Sequence, residues 1–134
     1  MIRALISLGA FACALSVAAG AFGAHGLRGR VSPQSLELWE TAARYLIYGG
    51  FGTVLAGLVA LYGRGAGGGG AGGSLGASFG VWGAVCLLAG SAIFSGTVFA
   101  LALGAPRWLG AVTPLGGLLV IAGFLLVAWS ALRL

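Results

Sequence analysis

The sequence predicts an all-α integral membrane protein, a four-helix bundle running up-down-up-down with both termini on the same side. Three observations predict it. Of 134 residues, 60% are hydrophobic and only 7% are charged, against about a quarter charged in soluble domains. A soluble fold of this length buries only about two-thirds of the surface its unfolded chain exposes, so so much apolar surface needs lipid around it. The apolar residues also come in long runs without strand-like alternation, and in lipid such runs satisfy their own backbone only as helices. The length suits a single membrane domain over 1–134.

The first run, about 4–24, is uncharged, with Arg3 before it and Arg28 after. At about 1.5 Å per residue it crosses a hydrocarbon core of about 30 Å. A secretory signal peptide ending at Ala19-Gly20-Ala21 is the rival reading. The run is long for such a segment and continues past the proposed cut, so a retained first span is the expectation. Gly20 and Gly23 suit close packing against another helix.

A polar stretch begins at His25, the only histidine. Ser32-Pro33 reads as a helix N-cap followed by a proline at N1, where no hydrogen bond is lost. Over 33–44 the pattern is amphipathic, with Leu36, Trp39, Ala43 and Leu46 on one helical face. Glu40 and Arg44 form an i,i+4 pair beside Glu37 and Thr41. This segment is expected to lie at the membrane surface and run into a second span, about 45–62. Tyr45, Tyr48 and Tyr62 mark that span's ends as interfacial aromatics. Gly49, Thr53 and Gly57 make a four-residue repeat of small side chains.

Residues 63–73 are glycine-rich and are expected to form a flexible linker. The run lacks the GK[ST] ending and preceding strand of a phosphate loop. A third span follows, about 78–103, with Gly76, Gly80 and Ala84 as a second small-residue strip. Ser95 and Thr97 place two hydroxyls in the half of this span nearer the third loop, where bonding their own helix backbone at i−4 and a functional role are equal readings. Pro106, Arg107 and Trp108 lie in a tight turn over 104–110, and Thr113-Pro114 repeats the cap signature. The fourth span, about 113–132, ends near Trp129 and Arg133.

The arginines stand singly at 3, 28, 30, 44, 64, 107 and 133, each near the end of an apolar run. That is a pattern of headgroup anchors rather than a nucleic-acid stripe. Cys13 and Cys86 fall inside apolar runs with no ligand spacing, so neither a disulfide framework nor a metal is expected. No Ser-His-Asp order and no HExxH is present. A second histidine for haem is missing, as are ligands for zinc. No cofactor and no catalytic residue is therefore assigned.

Three blocks resemble a family of small four-span membrane proteins known as DUF423 or UPF0382, to which the transmembrane protein 256 group looks related. Gly20 to Leu27 is similar to its GAFGAHGL signature. Trp39 to Tyr48 is similar to its ETAxRYQxYHA block. Phe94-Ser95-Gly96, Trp108-Leu109-Gly110 and Thr113 to Gly117 are similar to FSG…WLG…TPxGG. Gly49 stands where the family usually has histidine, and Phe124 where it usually has tryptophan. The resemblance implies a bacterial inner-membrane protein or a related organellar one, and implies no reaction.

The topology gathers His25, Arg28, Arg30, Glu37, Glu40, Arg44, Tyr45, Tyr48, Arg107, Trp108 and Thr113 at one membrane face. The functional expectation is a polar pocket there, with His25, Glu40 and Arg44 at its core and Tyr48 and Arg107 beside them. It would bind lipid or a membrane protein partner. The structural alternative has His25 capping a helix end and Glu40 paired with Arg44. A small-molecule or ion transporter or channel, acting as a homo-oligomer through the glycine strips, is the rival function. Such carriers usually hold an ionisable group within the membrane, and both acidic residues here precede the second span. Counting arginines leans the His25 face toward the cytoplasm.

Overall fold

The computed structural model describes residues 1–65 and 71–133, with the backbone alone for 71–74. Helix α1 spans Ile2–Phe22 and continues into a wider π-type turn, Gly23–Leu27. Helix α2 is Pro33–Gly65, α3 is Ala71–Ala102, and a short 3₁₀ turn, Arg107–Ala111, leads into α4, Thr113–Ala131. Together with their adjoining turns, the four helices are each long and apolar enough to cross a membrane.

The ends of these elements follow local chemistry. After the π-type turn, the Arg30 N–H bonds the Leu27 carbonyl at 2.9 Å. Arg28 sits at φ −58°, ψ 124° and Gly29 at φ +79°, the type II turn geometry that demands glycine at its third position. Ser32 caps α2 as expected: its Oγ accepts the Ser35 N–H at 3.1 Å. At the end of α3, Ala105 N–H reaches the Ala100 carbonyl at 2.9 Å and Gly104 N–H the Leu101 carbonyl at 3.1 Å. With Gly104 at φ +90° and Pro106 next, this is a Schellman stop.

Several boundaries differ from the sequence reading. The helical path from α1 runs on past Ala24 through His25 to Leu27. The segment 33–44 runs into the second span without a break, and the helix continues past residue 62 to Gly65, 33 residues in all. That helix is about 50 Å long, well beyond the hydrocarbon thickness. Gly63 to Gly65 are still helical and α3 starts at Ala71, so helix enters both ends of the expected linker, whose residues 66–70 lie outside the described residues. Thr113 is not a cap. The 3₁₀ turn flows directly into α4, Val112 takes the cap position, and the Thr113 hydroxyl faces Thr97 at 2.9 Å instead.

Consecutive helices pack antiparallel in a row, α1 on α2, α2 on α3, α3 on α4, and α1 does not touch α4 among the described residues. The register follows from paired positions: Ile6 with Gly57 and Gly9 with Gly50, then Gly49 with Ser91 and Ala60 with Gly80, then Gly83 with Gly123 and Gly90 with Gly116. The backbones meet directly. A methyl added at Gly9 would lie 2.7 Å from the Gly50 carbonyl oxygen, and one at Gly116 would lie 2.8 Å from the Gly90 carbonyl oxygen. Leu87, fully buried, is the knob at the centre: Gly52 of α2 and Gly123 of α4 leave the space it fills.

Of the expected packing glycines, Gly23, Gly49, Gly57, Gly76 and Gly80 all lie against a neighbouring helix or side chain. Gly20 is the correction. A methyl there would meet nothing within 4 Å, because the helix turns that position away from α2.

Buried hydroxyls tie helices to one another through backbone carbonyls. Ser16 donates to Ala43 O at 2.6 Å, and Ser130 donates to Gly76 O at 2.6 Å. Thr53 bonds back to Gly49 O at 2.7 Å within α2.

The close glycine contacts generate a contrast. Gly50→Val should lower the stability of the detergent-solubilised protein by about 1–3 kcal/mol through overpacking. Gly20→Ala should leave it unchanged or raised. Thermal unfolding of the two variants checks the difference.

Candidate functional site

At the end where α1 and α3 finish and α2 and α4 begin, Trp39 is the hub. Its Nε1–H donates to the Ala19 carbonyl at 2.7 Å. The same carbonyl also takes the Gly23 N–H. The π-type turn widens the helix at this point, and π-bulges recur where proteins place functional groups. Gly23 makes room for the indole: a methyl there would lie 2.7 Å from Trp39 Cδ1. Phe22 and Phe99 flank the ring, with centroids at 5.7 Å and 4.5 Å. Trp39 thus joins α1, α2 and α3 beneath the turn that carries His25.

A second aromatic group lies on the other side of α2. Tyr45 stacks on Phe94 at 4.3 Å and meets Tyr48 edge-on at 5.8 Å. Below it an apolar groove of about 450 Å³ opens between α2 and α4, lined by Tyr45, Ile47, Tyr48, Phe51, Val120 and Phe124. The ring of Phe124 reaches over Gly52.

The expected pocket around His25, Glu40 and Arg44 does not form as an enclosed site. All three side chains are exposed, and no hydrogen bond or ion pair joins them among the described residues. Glu40 and Arg44 share a helix face at the right spacing but form no ion pair with each other. Arg107 is exposed too, and lines a separate polar cleft of about 530 Å³ with Gln34, Ser35, Leu38 and Pro106. Tyr48, half exposed, lines the apolar groove instead. Five expected site residues are therefore distributed over one end of the bundle rather than converging on a point.

Sequence reasoning missed the cleft residues Gln34 and Ser35 and the groove residues Val120 and Phe124. Gln34 and Ser35 follow the Ser32-Pro33 start signal by one or two positions, so proximity to the third loop was the missing information. Thr97 bonds its own helix backbone, with its hydroxyl on the Ile93 and Phe94 carbonyls at 2.9 Å each. Ser95 does not: its Oγ is buried with no hydrogen-bond partner among the described residues. No group of three or more His, Cys, Asp or Glu side chains among the described residues is arranged to hold a metal.

The GAHGL turn, the Trp39–Tyr48 face and the Thr97–Thr113 contact all lie between residues 19 and 117. A family model described as "Protein of unknown function (DUF423)" matches residues 19–117. The chain belongs to the DUF423 family. Relatives extend the match to both ends. A UPF0382 membrane protein of Staphylococcus haemolyticus is 37% identical over 131 residues, covering 98% of this chain and 97% of that one. The UPF0382 membrane protein YwdK of Bacillus subtilis is 32% identical over 131 residues, with 98% of each chain covered. A UPF0382 membrane protein of Schizosaccharomyces pombe is 35% identical over 116 residues, 82% of this chain and 86% of that one. No solved structure matches. With four apolar helices and relatives named as membrane proteins, this DUF423 member is a small integral membrane protein.

The Trp39 hydrogen bond yields a measurable expectation. Trp39→Phe keeps the ring contacts with Phe22 and Phe99 but removes the donor to Ala19 O, and should lower stability by about 1 kcal/mol. Trp39→Ala opens a cavity as well and should lower it by about 3–5 kcal/mol. Thermal or denaturant unfolding in detergent separates the two; equal losses would contradict the role of the hydrogen bond.

Proposed function

We propose that this protein is a non-catalytic component of a bacterial inner membrane that binds phospholipid through the polar end carrying His25. The observation that carries this reading is the state of the ionisable side chains there. His25, Arg28, Arg30, Glu37, Glu40, Arg44 and Arg107 are exposed, and neither glutamate forms an ion pair among the described residues. Charges left open at headgroup depth take their counter-charges from lipid, because arginine matches phosphate with a planar fork of donors. Around them stand the interfacial aromatics Tyr45, Tyr48 and Trp108, which hold that end at the level of the headgroups. The bacterial location draws support from the Staphylococcus and Bacillus relatives.

Native mass spectrometry of the protein in mild detergent tests the reading. Phospholipid is expected to remain bound to the wild type. The triple variant His25→Ala, Arg44→Ala, Arg107→Ala should retain it several-fold less, each exposed contact contributing about 0.2–1 kcal/mol. Wild-type protein that binds no phospholipid, or a triple variant that binds it equally well, would refute the proposal.

A further inference from the structure

The outward face of α2 is ordered by depth. Glu37, Glu40, Arg44, Tyr48 and Phe51 follow one another at three- and four-residue steps, so they share one stripe along the helix. All five are exposed. From Glu40 to Phe51 the stripe descends about 16 Å at the helical rise. In order it presents a carboxylate, a guanidinium, a phenol and a phenyl ring. The phenol and phenyl belong to the wall of the groove between α2 and α4, whose far wall is Val120 and Phe124.

This order is the complement of one kind of molecule. A zwitterionic aminophospholipid carries its ammonium outermost, its phosphate next, its glycerol ester region below and its acyl chains deepest. Arg44 lies one helical turn above Tyr48 of the groove wall, and Glu40 lies one turn further out. Glu40 and Arg44 are not paired to each other, so each is open to a lipid charge. The groove itself has almost no polar wall, and a dry apolar space of this kind in a bilayer is filled by hydrocarbon. A simple anionic lipid would satisfy Arg44 but would set negative charge against Glu40 and Glu37.

We infer that the α2–α4 groove holds an acyl chain of an aminophospholipid, with its phosphate on Arg44 and its ammonium on Glu40. The inference rests on the phospholipid-binding reading above and names the class of lipid. Ammonium N–H groups donate to the Glu40 carboxylate, which a quaternary choline headgroup does not do. Tyr48 lies one turn below Arg44, at the depth of the lipid's ester region.

The test titrates the full chain in mild detergent with phosphatidylethanolamine, phosphatidylglycerol and phosphatidylcholine of identical chains, read by native mass spectrometry. Phosphatidylethanolamine should bind best. Glu40→Gln should weaken it about three- to fivefold and leave phosphatidylglycerol unchanged or stronger, as expected for one exposed charge contact. Arg44→Gln should weaken both. Glycerophosphoethanolamine, which has the headgroup without chains, should bind at least about tenfold more weakly, because it buries no hydrocarbon. Equal binding of phosphatidylethanolamine and phosphatidylglycerol, unaltered by Glu40→Gln, would overturn the inference while leaving phospholipid binding in place. Equal binding of the chain-free headgroup would overturn the role of the groove. Retention of no lipid at all would overturn this inference together with the reading it rests on.

Discussion

Everything in this fold depends on backbones meeting across glycine. Between helices in a bilayer there is no hydrophobic driving force, because lipid tails are as apolar as leucine side chains. What remains is dispersion between closely fitted surfaces, together with hydrogen bonds that water does not compete for. Gly9 against Gly50, Gly90 against Gly116, and Leu87 seated over Gly52 and Gly123 provide that fit. The hydroxyls of Ser16 and Ser130 add donors aimed at carbonyls of the next helix. The helices line up as a row rather than a closed ring, so α2 and α3 are covered on both flanks while α1 and α4 keep broad apolar faces toward lipid.

That arrangement has a consequence for chemistry. Antiparallel packing in chain order gathers the α1–α2 and α3–α4 connections at one end, and the sequence places its histidine, both glutamates and four of its arginines there. Trp39 binds this end together: its ring fills the space over Gly23 and its N–H anchors the last regular turn of α1. The polar groups then stand exposed on a rigid aromatic base. Among the described residues no group of three or more His, Cys, Asp or Glu side chains there is arranged to hold a metal.

The spans, the Ser32 cap and most of the packing glycines were legible because they rest on local rules. Run length, proline at N1 and four-residue repeats of small side chains each act within one helix. The errors arise where a second element decides. Gly20 and Gly23 look equivalent in sequence, yet only Gly23 faces Trp39. Gly9, Gly90 and Gly123 carry no such local signal, because each becomes meaningful only against its partner glycine or Leu87. Thr113-Pro114 imitates a cap, but the preceding 3₁₀ turn already supplies the helix start and frees the hydroxyl for Thr97. The helix also persists into glycine-rich sequence: α2 runs through Gly63, which is buried, despite glycine's low propensity, and α3 begins at Ala71.

The site was legible as a region and not as a geometry. One-sided polarity follows from topology alone, which is why the sequence groups His25, Glu40, Arg44 and Arg107. Their separation follows from side-chain directions around α2 and from the loop after α3, which no spacing rule encodes. The central claim is that these residues share one headgroup layer. Single cysteines at positions 25 and 107, in a chain with Cys13 and Cys86 replaced by serine, put it to the most direct test. Labelled with a membrane-impermeant thiol reagent in sealed, oriented vesicles, both should react from the same side. Reaction from opposite sides would contradict the account.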